Sequence, residues 1–250
     1  MTPLAVSPAV PGPAPAAADT PQRSARLFDA AVICATGMLA FAPVAILAPA
    51  IGWPASLRAP PAHQMAAIFG AADAVAAGYG VYLLYSLLVL PVMLLIARRV
   101  FGTLAHPMAQ LVVAFAALSV LARSIGILRW LTVMPQLAIA HNAADADTRI
   151  TIELVFKVVS DYGGGIGELL GVSLFMAMSL GLTAASALHL RSLPAWLAGA
   201  GLLSAVLLAS MLLPVLGIAI KVPVAIAAAG VSVWMLAYAG WVAQSGGTRR

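Results

Sequence analysis

Two arginines and two acids stand in this chain among residues that are almost all apolar. Arg123 and Arg129 lie in SVLARSIGILRW, and Asp161 and Glu168 lie in SDYGGGIGELLG. A guanidinium offers a fixed fork of N–H donors to carboxylates and phosphates. A carboxyl at membrane depth can hold or pass a proton. The chemistry open to this set is ion pairing that fixes two helices, binding of an anion or polar ligand, or proton movement through Glu168. Trp130, Lys157 and Tyr162 flank these charges and complete the candidate group.

Helical spacing aligns part of it. At about 100° per residue, Glu153, Lys157, Asp161, Gly164, Glu168 and Gly171 fall within an arc of roughly 80°. Val155, Phe156, Val158, Val159, Leu169 and Leu170 cover the other faces. Ionisable groups at membrane depth are costly unless they face protein or water, so this stripe is expected to look into a helical bundle. Gly163, Gly164, Gly167 and Gly171 allow close helix approach. Ser119, Arg123, Gly126 and Trp130 share one face of the preceding segment and suit contact with them. Each glycine also weakens a helix by about 1 kcal/mol relative to alanine, which predicts a kink or loosened turn around Gly163–Gly165.

Several activities lack their residues. His63, His106, His141 and His189 fall in loops or at segment ends, where they cannot hold a haem inside a bundle. The H-E-x-x-H, CxxC and G-x-S-x-G patterns are absent. Lys157 lies among acids outside any deep apolar stretch, which argues against a Schiff base. Cys34 is alone, so it forms no intramolecular disulfide and reads as a packing residue. No catalytic residue, cofactor, metal or nucleic-acid contact is expected.

The elements that must position these groups follow from composition. Of 250 residues, 63% are hydrophobic and 8% charged, far from soluble averages. The all-α reading is a polytopic membrane bundle. Six apolar spans are expected at 27–50, 75–97, 108–129, 168–189, 193–213 and 223–243, each near the ~20 residues a bilayer requires. The third and fourth belong to longer helical patterns, 107–141 and 150–190, whose extra turns project together on one side beyond the link Asn142–Arg149. Pro91, Pro107, Pro194 and Pro223 mark starts or kinks. Residues 1–24 read as a disordered Ala/Pro-rich cytoplasmic tail without the pattern of a signal peptide. Residues 25–245 form the transmembrane domain, and 246–250 a short basic tail.

The net charge of +5 comes mostly from arginines that flank spans, and basic flanks report orientation. With the N-terminus inside, the cytoplasmic side collects Arg23, Arg26, Arg98, Arg99, Arg191, Arg249 and Arg250. The far side receives only Arg58, Arg149 and Lys221. Both termini are therefore expected inside, with Asp145, Asp147, Trp53 and Trp130 at or near the outer side. Asp29 is expected to pair with Arg26 or a neighbouring helix end. Tyr79, Tyr82 and Tyr85 recur every third residue beside Ser86, as an aromatic packing face or a ligand-lining one. The loop Gly52–Ala72 can fold back over the bundle as a lid.

GWPASLR, the tyrosine-rich second span with its proline, RSIGILRW, DYGGGIGELLG and SLPAWLAGAGLL together resemble a bacterial family of membrane proteins, domain of unknown function 4386. The resemblance covers about residues 25 to 243. Its best-matched pieces are Arg123, Gly126, Arg129 and Trp130, then Tyr162, Gly163, Gly167, Glu168 and Gly171. It implies a multi-helix protein of the bacterial inner membrane and no known activity. The function expected from the residues is non-enzymatic: an outward-facing Arg/Glu/Asp cluster that forms a small-ligand pocket or a docking surface. The alternatives are a small proton-coupled or anion transporter using Glu168, then a membrane enzyme acting on lipid-like substrates. The partners are the bilayer, a second copy or another membrane subunit, and a small polar or anionic ligand.

Overall fold

A computed structural model describes residues 20–220 and 224–245. The tail at 1–19, Lys221, Pro223 and the basic end at 246–250 lie outside the described residues. Helix α1, Thr20–Leu39, already includes residues 20–24, which the sequence assigns to the tail. All regular structure among the described residues is helical.

Turn chemistry places most boundaries. Pro43 opens α2 (Ala42–Ile51) in its first turn, so the first apolar segment is two helices rather than one. Gly52 ends α2 at φ 70°, a conformation glycine adopts without strain. A 3₁₀ turn (Ala55–Arg58) and α3 (Pro61–Gly70) fill the first long loop. The 30-residue α4 (Ala72–Phe101) runs through Pro91 and stops at Gly102, φ 75°. Pro107 begins α5 (Pro107–Leu131), and the His106 ring accepts a 3.1 Å bond from the Met108 N–H.

The expected 107–141 helix breaks at Thr132 and resumes as α6 (Val133–Ala143). Pro135 accounts for this, since a proline ring excludes the carbonyl four residues earlier, here Leu131. The Thr132 hydroxyl donates instead to the Leu128 carbonyl at 2.8 Å. Asp145 caps α7 (Ala146–Gly164), its carboxylate accepting from the Thr148 N–H at 2.9 Å. The helix then widens into a π-helical segment, Gly165–Met176, and returns to α geometry as α8 (Ala177–Leu190). This is the loosened turn that the glycine run predicts, beginning at Gly165 and longer than expected. Helices α9 (Ala195–Ser210) and α10 (Val224–Gln244) are the last elements among the described residues.

Among the described residues, five helical stretches are long and apolar enough to cross a membrane: Gln22–Ile51, Ala72–Phe101, Pro107–Ala143, Ala146–Leu190 and Ile226–Gln244. The segment expected to span at 193–213 makes a shorter apolar helix of 16 residues. At about 1.5 Å per residue it reaches roughly 24 Å, short of the ~30 Å hydrocarbon core. Leu84, Leu87, Leu118, Leu121, Leu203 and Val206 are exposed on helix surfaces, where a bilayer is the medium that suits them.

Two apolar clusters hold the bundle. The larger joins α1, α4, α5, α8, α9 and α10 around Ile96, Leu180, Leu197, Trp234 and Tyr238. First and last helices pack together, and the Trp234 indole N–H donates to the Leu197 carbonyl at 2.9 Å. The smaller joins Leu47, Met65, Ile68, Tyr79, Trp130, Met134 and Phe156. Helix α3 supplies Met65 and Ile68 to it and packs on α6 and α7, so the loop does fold back as a lid. The Gln64 amide ties the lid to the preceding turn through the Ala59 carbonyl, 2.8 Å away.

Candidate functional site

The site forms where α5 meets the end of α7 and the π-helical segment. Contacts run in opposite order along the two chains. Arg129 lies on Gly163, Gly126 on Gly167, and Arg123 with Ser119 on Gly171. The helices are therefore antiparallel, as the short link at 144–145 requires. The three glycines are four residues apart and form one face. A methyl on Gly126 would lie 2.8 Å from the Gly167 Cα, and one on Gly171 would lie 2.9 Å from the Arg123 backbone nitrogen. No side chain fits between these backbones. The Ser119 hydroxyl locks the contact by donating to the Gly171 carbonyl at 2.7 Å.

This packing seats two arginine stems in glycine grooves and aims both guanidiniums at aromatic rings. Arg123 is 6% exposed, and its guanidinium carbon stands 4.9 Å from the Tyr85 ring centroid, beside Tyr82. Arg129 stands 5.4 Å from the Trp130 ring centroid, with Gly163 and Gly164 beneath it. Tyr79 stacks parallel on Trp130 at 4.8 Å, Trp53 meets Tyr82 edge-on at 6.2 Å, and Phe156 closes the far side of Trp130. The tyrosine face of α4 thus packs and lines the site together. Such cation–π contacts contribute about 0.5–2 kcal/mol each.

Glu168 is half-buried in the π-helical segment, within electrostatic reach of Arg129, Tyr79 and Tyr82. Neither Arg123 nor Arg129 forms an ion pair among the described residues. Arg123 Nε, Arg129 Nε and Arg129 Nη1 are buried without a hydrogen-bond acceptor, and the buried Tyr79 hydroxyl also lacks one. The Ser173 hydroxyl donates to the Glu168 backbone carbonyl at 2.8 Å, five residues back. That bond stabilises the widened turn that carries the acid.

Part of the expected stripe points elsewhere. Lys157 and Asp161 are exposed and bonded to each other at 2.6 Å, and Tyr162 is 74% exposed. The inward face of this helix is Phe156, Gly163, Gly167 and Gly171 instead. The reason is steric: only glycine admits α5 closely, so the glycine face wins the interface and rotates the charges of α7 outward. Glu153 turns to His141 at 3.0 Å, and Arg149 Nε donates to the His141 carbonyl at 3.1 Å. That histidine contact crosses a loop and has no periodic signal. At the opposite end, Asp29 pairs with Arg99 at the end of α4, 3.6 Å away. Cys34, expected to pack, is exposed.

Outside the membrane-crossing stretches, Asp145 is held below the usual carboxylate range by the Thr148 N–H it accepts. Compared with protein-family models, curated proteins and solved structures, the chain matches none.

Proposed function

We propose that this chain is a six-span integral protein of the bacterial inner membrane, N-in and C-in, whose Arg123/Arg129/Glu168 group is an outward-facing binding site for a small polar ligand. The basic flanks support the orientation, and the short α9 serves as the fifth span with the apolar turn residues that follow it. The observation that carries the ligand reading is the set of buried guanidinium donors without acceptors. An unpaired buried donor costs about 1–3 kcal/mol, more when charged, and is a natural place for a ligand oxygen. The function is non-enzymatic, because the group holds no nucleophile–base pair.

A second reading, a proton-coupled or anion carrier using Glu168, is favoured by the π-helical turn that holds this acid. π-Bulges cluster at functional sites. A thermal-shift screen of small polar solutes on wild type and Arg129→Gln in nanodiscs tests the binding reading. A saturable shift present in wild type and lost in the variant is expected. No shift with any solute, together with strong energetic coupling of Arg129 to Glu168, would replace the binding site with a structural clamp. Solute flux into proteoliposomes, lost in Glu168→Gln, would favour the carrier.

A further inference from the structure

Helix α3 and the corner between α6 and α7 border a cleft of about 160 Å³, lined by none of Arg123, Arg129 and Glu168. Its apolar side is Met65, Ala66 and Phe69 of α3 with Ala138 of α6. Met65 and Ala138 are buried, whereas Phe69 is exposed. Its polar side is His141 and Asn142 at the end of α6 and Arg149 at the start of α7. No carboxylate lines it. Arg149 is held in place, because its Nε donates to the His141 carbonyl at 3.1 Å. That bond uses one of the five guanidinium N–H groups, and the other four have no acceptor among the described residues. The nearby acids are engaged elsewhere. Glu153 meets His141 Nε2 at 3.0 Å. Asp145 acts on Arg149 through space, while its carboxylate accepts from the Thr148 N–H at 2.9 Å.

We infer that this cleft binds a small monocarboxylate, its carboxylate on Arg149 and Asn142 and its apolar body against Met65, Phe69 and Ala138. The inference stands apart from the site at Arg129 and Glu168 and does not need it. A few oriented polar groups beside an apolar surface are the usual make-up of a small-molecule site. The free edge of a guanidinium matches a carboxylate in both charge and geometry. The volume sets the size of the body: a cavity of ~150 Å³ holds one benzene ring, so the long acyl chain of a lipid does not fit. Because the lining comes from α3, α6 and α7, an occupant also fastens the lid to the two helices beneath it.

The test is melting of the full chain in a non-ionic detergent, with sodium benzoate titrated against benzamide at matched ionic strength. Benzoate is expected to raise Tm saturably, and benzamide, which has the same shape without the charge, to bind about tenfold more weakly or not at all. Two variants locate the effect. Arg149→Gln keeps an N–H for the His141 carbonyl but loses the charged fork, and should weaken benzoate about tenfold or more. Ala66→Trp fills the cleft from an exposed position of α3 without removing a donor, and should abolish the shift. If one variant does not fold, the other decides. Limited proteolysis within α3 should slow in the presence of benzoate and not of benzamide. An equal response to benzamide would overturn the carboxylate assignment. A benzoate response unchanged in a folded Arg149→Gln or Ala66→Trp protein, or no response in wild type, would overturn the site.

Discussion

Gly126 and Gly167 bring two helix backbones into contact, and a Cβ on either would meet the Cα of the other at 2.8 or 3.2 Å. Arg123 of α5 reaches the Tyr85 ring of α4 from a helix anchored this closely to its neighbour. Gly126→Ala is expected to destabilise the fold by about 1–3 kcal/mol, the usual effect of overpacking. Gly80→Ala, at a helical glycine with nothing within 4 Å, should be neutral or stabilising by up to about 1 kcal/mol. Chemical or thermal unfolding in detergent separates the two. Equal effects would mean that the glycine contact does not hold the helices.

Gly163 makes a different contact. A methyl there would lie 2.5 Å from Arg129 Nη1 and 2.7 Å from its Cδ, which is a side chain able to move. Gly163→Ala should therefore shift Arg129 and weaken ligand response more than it lowers Tm. A variant with full ligand response and a large stability loss would contradict that arrangement.

Arg129 and Glu168 attract each other without forming an ion pair. The double-mutant cycle of Arg129→Gln and Glu168→Gln should give a coupling well below the ~3–5 kcal/mol that follows from breaking a contacting buried pair. Melting curves of the four proteins measure it. A coupling in the upper range would identify a clamp.

The Asp145 cap supplies a pH dependence. Its folded-state pKa is depressed by the Thr148 N–H, so the cap stabilises fully above the unfolded-state pKa and loses its effect as pH falls through the folded one. Asp145→Ala should lower Tm near neutral pH, and the difference from wild type should shrink in acid. A difference that grows on acidification would reverse the sign of this account.

Orientation is open to labelling. In a Cys34→Ala background, Asn142→Cys should react with a membrane-impermeant maleimide added outside intact cells. Thr103→Cys, in the turn between α4 and α5, should react only after lysis. The opposite pattern would invert the topology.

The sequence determined what depends on length, period and composition. The long helices, the short link before α7, the loosened glycine run, and the shared face of Ser119, Arg123, Gly126 and Trp130 are local properties, and each is found in the structure. Pro135 carried a break that periodicity alone masks, because apolar residues continue on both sides of Thr132. Tertiary structure decided which face of α7 turns inward. Glycine and charged residues alternate around that helix, and both were candidates for the interface. Burial of backbone against backbone at Gly167 and Gly171, with the Arg129 side chain lying on Gly163, leaves the glycine face inward, so Lys157 and Asp161 rotate outward and pair with each other. The same close approach brings Glu168 within electrostatic reach of Arg129, a relation that exists only once the helices are packed.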